Sequence, residues 1–142
     1  MQAAIKIEVK FMGWQDVKIE SVLERDTDLL ILEEWSVNSE FAHWLLEQFS
    51  ATQKFSSFDG WHSVTDPQYG ESDLLLVAEN PSMKIAVLFE NKIDAIAQEE
   101  QSKRYFLRAE KLKQELDLTS TVVGIIAPEH YLQNNQEAQN YP

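Results

Sequence analysis

Two apolar runs separated by a short turn are the strongest constraint on how this 142-residue chain can fold. The runs cover residues 72–78 and 84–92, and the Asn80-Pro81-Ser82 segment between them is typical of a turn. A continuous apolar run has no polar face, so other elements must cover both faces of these strands. The sequence therefore predicts a β-hairpin inside a sheet that carries helices on each side.

The segments that flank the hairpin follow helix and strand periodicities in turn. Residues 4–11 alternate apolar and polar side chains, which predicts a half-buried strand. Two helices are expected next, one capped by Asp26 or Thr27 and the other by Asn38 or Ser39. The later segments are a polar loop at 51–60, a long helix at 97–116, a buried strand at 119–127 and a polar, weakly structured tail at 133–142. This order predicts an α/β fold with a mixed sheet.

The composition excludes several classes of protein. Cysteine is absent, which excludes a disulfide framework and a thiolate zinc site. No apolar run approaches the ~18 residues of a membrane-spanning helix, and the first residues lack the apolar core of a signal peptide. We therefore expect one domain in a cytoplasmic protein that makes no membrane contact. The net charge of −12 argues against binding nucleic acid through bulk charge.

Polar residues inside the buried runs need a chemical explanation. They are Asp73 in the first run and Glu90 and Lys92 in the second. Strand side chains alternate, so Glu90 and Lys92 share a face, and Asp73 can lie beside Glu90 if the register allows. Two neighbouring carboxylates repel each other, and a Mg2+ ion, which prefers hard oxygen ligands, relieves that repulsion. A salt bridge of Lys92 with either carboxylate is the alternative, and the residue types leave it open.

Three motifs, taken together and in chain order, resemble those of the PD-(D/E)XK nuclease superfamily. They are Glu71-Ser72-Asp73, in which the Pro-Asp of the first motif is missing, Glu90-Asn91-Lys92, and the Q-x-x-x-Y pattern of Gln101 and Tyr105. The similarity covers roughly residues 26–132, between an N-terminal extension at 1–25 and the polar tail. It implies a single nuclease-like domain with a restriction-endonuclease-like core of order α-β-β-β-α-β. Residues 60–65 would form the first core strand.

The resemblance also implies a metal site. Asp73 and Glu90 would hold Mg2+, for which Mn2+ would substitute, and the backbone carbonyl of Asn91 would be a further ligand. Some members of the superfamily add an acidic residue from the first helix. Glu34 and Glu40 are the candidates for that ligand here, and Glu34 is preferred.

The same resemblance gives catalytic roles to residues near the metal. Lys92 would assist the attacking water. Gln101 and Tyr105, one helical turn apart, would face the site and position the scissile phosphate or the water. The helix that holds them also carries three basic residues on which a phosphate backbone could rest: Lys103, Arg104 and Arg108.

These roles imply a metal-dependent nuclease that hydrolyses phosphodiester bonds, with DNA as the expected substrate. The alternative is a nuclease-like domain without catalysis that binds protein or nucleic acid, since a fold does not fix a function. The acidic charge favours this alternative, whereas the intact set of Asp73, Glu90 and Lys92 favours the enzyme. A homodimer is also left open, because a partner could supply DNA-binding surface.

Overall fold

The hairpin predicted from the two apolar runs forms the middle of a four-stranded sheet. The computed structural model describes residues 23–93 and 99–141. Its strands are β1 (Ser57–Asp66), β2 (Gly70–Asn80), β3 (Met83–Asn91) and β4 (Ser120–Ile126). The strands lie in the order β1-β2-β3-β4, with antiparallel β1/β2 and β2/β3 pairs and a parallel β3/β4 pair. The prediction of an α/β fold with a mixed sheet is confirmed.

Helices flank this sheet, as the apolar strands require. They are α1 (Glu24–Val37), α2 (Ser39–Glu47), α3 (Gln101–Glu115) and α4 (Glu129–Asn134), followed by a short 3-10 helix at Ala138–Asn140. None of the helices in the described ranges has both the length and the apolar character that crossing a membrane requires. The predicted strand at residues 4–11 lies outside the described residues.

The alternation of side chains along β2 shows how the two faces are buried. Leu74 and Leu76 belong to a core cluster that contains Trp35 of α1. Leu75 and Val77 belong to the opposite cluster, which contains residues of α3. Residues two apart on a strand share a face, so this alternation also decides the side of the sheet to which each polar residue belongs.

The predicted turn between β2 and β3 is confirmed. The side-chain carbonyl of Asn80 accepts hydrogen bonds from the backbone N–H groups of Ser82 and Met83, each at 2.9 Å. This arrangement lets an asparagine close a tight turn with its own side chain. The cap predicted for α2 is also confirmed, because the Asn38 side chain accepts a hydrogen bond from Phe41 N–H at 3.1 Å.

Two predicted boundaries were wrong. Neither Asp26 nor Thr27 caps α1, since that helix begins at Glu24 and Asp26 lies in its first turn. The Asp26 carboxylate accepts a hydrogen bond from Leu23 N–H at 3.0 Å, so it stabilises the helix start from inside. The loop predicted at 51–60 ends early, because β1 already begins at Ser57.

The prediction of a weakly structured tail at 133–142 was also wrong. Helix α4 reaches Asn134, a 3-10 helix follows, and Ala138 and Tyr141 are buried. The Glu137 carboxylate accepts hydrogen bonds from Ser102 N–H at 2.8 Å and from its hydroxyl at 2.7 Å. Among the described residues, the N-cap residue of α3 makes no side-chain hydrogen bond. Glu137 instead accepts from the Ser102 N–H, one of the first-turn N–H groups that have no partner within the helix.

We expect Glu137→Ala to lower the free energy of unfolding by about 1–2 kcal/mol, because it removes this cap. Burial opposes ionisation of Glu137, but the hydrogen bonds from Ser102 outweigh it and hold its pKa below the usual value of 4.5. The stabilisation is therefore present above pH 4.5 and is lost as the pH falls through the lowered pKa. Urea denaturation at pH 7 and pH 3 tests this, with the exposed Glu110→Ala of α3 as control. Equal losses in the two variants would contradict the assignment.

Candidate active site

The sequence-predicted residues Asp73, Glu90 and Lys92 meet at the end of the β2–β3 hairpin that lies away from its turn. Glu90 follows Leu88 by two residues and Asp73 precedes Leu75 by two, which assigns both to the α3 face of the sheet. The Lys92 ammonium lies 2.7 Å from Oε1 of Glu90, and both side chains are almost fully buried. The salt bridge that sequence analysis left open is therefore formed, within a group that contains a second carboxylate.

Gln101, the first residue of α3, joins this group as predicted. Its Nε2 donates a hydrogen bond to Oε1 of Glu90 at 2.5 Å. Lys92 and Gln101 thus bind the same oxygen of Glu90. Since the start of α3 is itself held by Glu137 on Ser102, the orientation of Gln101 depends on the tail of the chain.

Asp73 is the residue at this site whose ionisation is most disturbed. One of its oxygens accepts a hydrogen bond from Asn91 N–H at 2.8 Å. Burial, and secondly the negative charge of Glu90, raises the pKa of the Asp73 carboxyl to about 7, although the Asn91 N–H opposes the rise. The ionised form of Asp73 is therefore disfavoured at this site, and a cation bound beside it would relieve that cost.

Tyr105 does not have the role that sequence analysis predicted. Its side chain is fully buried, and its hydroxyl accepts from Asp73 N–H at 3.1 Å and donates to Phe89 C=O at 3.0 Å. The paired register of β2 and β3 ends at Leu74 opposite Phe89, so the hydroxyl bridges the strands where regular pairing stops. Burial and the nearby Glu90 carboxylate raise the pKa of Tyr105, which keeps the phenol neutral. Tyr105 positions the strand ends and does not face the pocket.

Asn91 fastens the opposite face of β3 to α1. Its Nδ2 donates to the Glu24 carbonyl and to Oδ1 of Asp28, each at 3.0 Å. Its backbone N–H points towards Asp73, and the carbonyl of a strand residue lies on the same side as its N–H. The predicted ligand carbonyl of Asn91 is therefore directed towards Asp73.

The first-helix acids near the site are Glu24 and Asp28, and the prediction of Glu34 was wrong. Glu34 lies near the far end of α1, where its carboxylate accepts a hydrogen bond from Asn38 at 3.0 Å. The Glu24 carboxylate accepts from Ile93 N–H at 3.0 Å. The alternative candidate Glu40 is exposed on α2.

Asp28 is almost fully buried, and burial raises its pKa. Its second carboxylate oxygen lies 3.4 Å from Nε2 of His62 on β1. A sequence signal for Asp28 existed, because it precedes the core residues Ile31 and Trp35 by three and seven positions and so falls on the buried stripe of α1.

The basic residues of α3 do not form the exposed contact strip that was expected. Arg108 is buried, with its guanidinium 4.0 Å from the centre of the Tyr105 ring and Nε donating to Ser72 Oγ at 2.8 Å. Lys103 is exposed and lies 3.4 Å from Glu100. Nη1 of Arg104 donates to the Glu99 carbonyl at 2.8 Å. Arg108 is therefore buried beneath the expected strip, although it still lines the pocket, and its contact with nucleic acid stays a prediction.

A pocket of about 340 Å³ opens onto this group of residues. Its charged lining consists of three acids and three bases: Glu71, Asp73, Glu90, Lys92, Arg104 and Arg108. In the parts of the chain that the structure describes, no group of three or more His, Asp or Glu side chains is gathered as a metal-binding cluster. Two of these three acids, Asp73 and Glu90, lie beside each other. Two carboxylates is a number that Mg2+ commonly takes from a protein when water and phosphate complete its shell.

Comparison of the chain with protein-family models, with curated proteins and with solved structures finds no match. The resemblance of the three motifs to those of the PD-(D/E)XK nucleases therefore stays a prediction.

Replacing Tyr105 by phenylalanine should cost about 2–4 kcal/mol of folding free energy, because Asp73 N–H and Phe89 C=O would both lose a buried partner. Tyr131→Phe is a matched control, since its buried hydroxyl has no hydrogen-bond partner among the described residues. Chemical denaturation of both variants checks the prediction. If Tyr105→Phe lowers the free energy of unfolding no more than Tyr131→Phe does, the hydroxyl bridge does not hold the strand ends.

Asp73→Asn should stabilise the protein in EDTA at pH 8 by about 1–2 kcal/mol and have little effect at pH 4. The folded pKa is raised, so this group favours folding most below 3.8 and loses that contribution as the pH rises through about 7. Asparagine removes the charge and retains an oxygen that can accept from Asn91 N–H. Urea denaturation at the two pH values, with the exposed Asp117→Asn as control, measures the difference. A gain that does not change with pH would show that the charge of Asp73 is not responsible.

Proposed function

We propose that this chain is a Mg2+-dependent nuclease with a restriction-endonuclease-like core that hydrolyses phosphodiester bonds of DNA. The observation that carries the proposal is the set of Asp73, Glu90, Lys92 and Gln101 at one pocket, in which a buried carboxylate of raised pKa lies beside a buried ion pair. The order of elements also supports the proposal: two helices are followed by three antiparallel strands, a helix and a strand parallel to its neighbour.

The residues at the pocket fit a divalent cation. Asp73 and Glu90 are hard oxygen donors, and the raised pKa of Asp73 reflects burial together with repulsion between them. Lys92 and Gln101 both contact Oε1 of Glu90. Asp73, Glu90 and the Asn91 carbonyl are the residues that would hold the cation. Mg2+ bound there would lower the pKa of a bound water and neutralise charge on the phosphoryl group.

Lys92 acts in this proposal as a fixed positive charge. Burial lowers the pKa of the ammonium, but its contact with Glu90 outweighs burial and holds the pKa above the usual value. Lys92 therefore stays protonated at neutral pH and is not a general base. An ammonium has three donors, of which Glu90 takes one, and the others can orient the attacking water or bind a phosphate oxygen.

Gln101 and Tyr105 are positioning residues in this scheme. Gln101 holds the Glu90 carboxylate in place from the α3 side. Tyr105 holds the backbone ends of β2 and β3 at the spacing that keeps Asp73 next to Glu90. Neither residue needs to touch the substrate, and each limits the movement of a group that does.

A nuclease-like domain that only binds protein or nucleic acid remains the competing function. The net charge of −12 favours it, because a DNA backbone approaching this chain meets more acid than base. The pocket itself contains as many basic as acidic side chains, so a dication there would turn the local charge positive. Binding of DNA should then depend on the metal and weaken steeply with salt.

Glu90→Gln and Lys92→Met should each reduce Mg2+-dependent DNA cleavage by at least ~100-fold, the loss typical of removing one group that stabilises transition-state charge. Cleavage of supercoiled and linear DNA gives the rates, and thermal unfolding shows whether each variant remains folded.

Glu79→Gln and Lys84→Met provide matched controls. These residues pair at 3.7 Å across the same two strands at the turn end of the hairpin, so the substitutions make equal chemical changes far from the pocket. Unchanged cleavage in folded Glu90→Gln and Lys92→Met would disprove the assignment. A wild-type protein that binds no Mg2+ by calorimetry and cleaves no DNA would favour the binding module.

A further inference from the structure

The outward side of α1 carries the most exposed large apolar side chains in the described part of the chain. Leu23, the N-cap residue, Leu30 and Val37 are exposed to 62%, 60% and 76%. They follow one another at intervals of seven residues, so they lie along one side of the helix, away from the buried Asp28 and Trp35. Single exposed apolar residues are ordinary, whereas a row of them along about 21 Å of helix indicates an interaction surface.

Acidic side chains lie beside this row. Asp26 and Glu33 each follow a leucine of the row by three residues, which puts them on the same side of α1. Neither carboxylate forms an ion pair with another described residue. Between Glu24 and Glu47 the chain has seven acidic residues and one basic residue, Arg25, a net charge of −6 that is half of the total of −12. The apolar row and its two acids together are the α1 strip: Leu23, Asp26, Leu30, Glu33 and Val37.

The charge of the α1 strip decides which partner can bind it. A second copy of this chain would bring an identical acidic surface, and like charges placed face to face oppose association. An anionic lipid surface or a nucleic acid is opposed in the same way. Residues 1–22 of this chain contain three lysines and three acidic residues, so that segment offers no net positive charge. A basic helix with apolar side chains at heptad spacing complements both properties of the strip.

We propose that the α1 strip binds a basic amphipathic helix of a partner protein, with the two helices side by side as in a two-stranded coiled coil. Apolar side chains of the partner would pack against Leu23, Leu30 and Val37. Its lysine or arginine side chains would pair with Asp26 and Glu33. None of these five residues lines the candidate active-site pocket, so the proposal does not depend on the nuclease function.

The first test is titration of the full chain with a designed helical peptide of three heptads, with leucine at the a and d positions and lysine at the e and g positions. Calorimetry should show one binding site per chain, with an affinity that falls as salt screens the charges. A peptide with glutamate in place of every lysine should bind at least ~10-fold more weakly, because it faces the acidic strip with like charge. Equal affinities for the two peptides would overturn the proposal.

The second test uses a pair of leucine variants. Leu30→Ser should weaken binding of the lysine peptide at least ~10-fold, because it removes a central apolar contact. Leu107→Ser removes a leucine that is 40% exposed on α3 and should change the affinity less than ~2-fold. Thermal unfolding shows whether both variants remain folded. An equal effect of the two substitutions would contradict the assignment of the strip.

The third test needs no variant, so it holds even if Leu30→Ser fails to fold. Nuclear magnetic resonance of the labelled wild-type chain during the peptide titration locates the contact. Amide shift changes concentrated along α1 support the proposal, and changes concentrated on α3 or β1 overturn it. Sedimentation of the chain alone tests the rival occupant, since a dimer that Leu30→Ser dissociates would assign the strip to a second copy and reject the basic partner.

Discussion

The hydroxyl of Tyr105 is the contact on which the arrangement of the candidate site depends. Backbone pairing between β2 and β3 ends at Leu74 and Phe89, and the hydroxyl satisfies one backbone group on each strand beyond that point. The bridge lets the strands separate without leaving buried N–H and C=O groups unpaired. Asp73 can then use its side chain on Asn91 N–H, and the ring of Tyr105 provides the surface on which Arg108 rests.

The tripeptide Glu90-Asn91-Lys92 places two side chains at the pocket and one on the opposite face of the sheet, because strand side chains alternate. Its outer two side chains pair on the α3 side. The middle side chain points to the other face, where it binds Glu24 and Asp28 of α1. A residue that touches no substrate in the proposed mechanism thus fixes the strand end, which explains why an amide with two donors is well suited to this position.

Sequence patterns predicted the local and periodic features well and the long-range ones poorly. The buried hairpin and its turn at Asn80 follow from apolar runs and turn chemistry, both of which act over a few residues. The sequence favours Glu34 over Glu40 and does not point to Asp28, because periodicity alone does not show which end of α1 lies near the site. The polar composition predicts a weakly structured tail because composition does not reveal single contacts such as that of Glu137 with Ser102.

The difficulty of predicting long-range contacts also explains why Tyr105 and Arg108 of α3, which were expected at the surface of the site, are buried. Tyr105 and Arg108 have residue types that suit contact with a phosphate, and the sequence places them on the correct helix. Whether a helical side chain points into a pocket or under it depends on how the helix packs on the sheet, which spacing does not encode. Both residues nevertheless remain connected to the pocket, Tyr105 through the strand ends and Arg108 as one of the residues that line it.

Electrostatics link the acidic composition to the proposed chemistry. Most stabilising carboxylates in a folded protein have lowered pKa values, whereas burial and Glu90 raise that of Asp73, so its ionised form opposes folding at neutral pH. A structure that holds such a group in place has stability to gain from any cation bound beside it. The three basic side chains of the pocket match its three acids in formal charge, yet the ionised form of Asp73 remains disfavoured. A net charge of −12 is therefore compatible with a nucleic-acid substrate under one condition, namely that a divalent cation enters the pocket with it or before it.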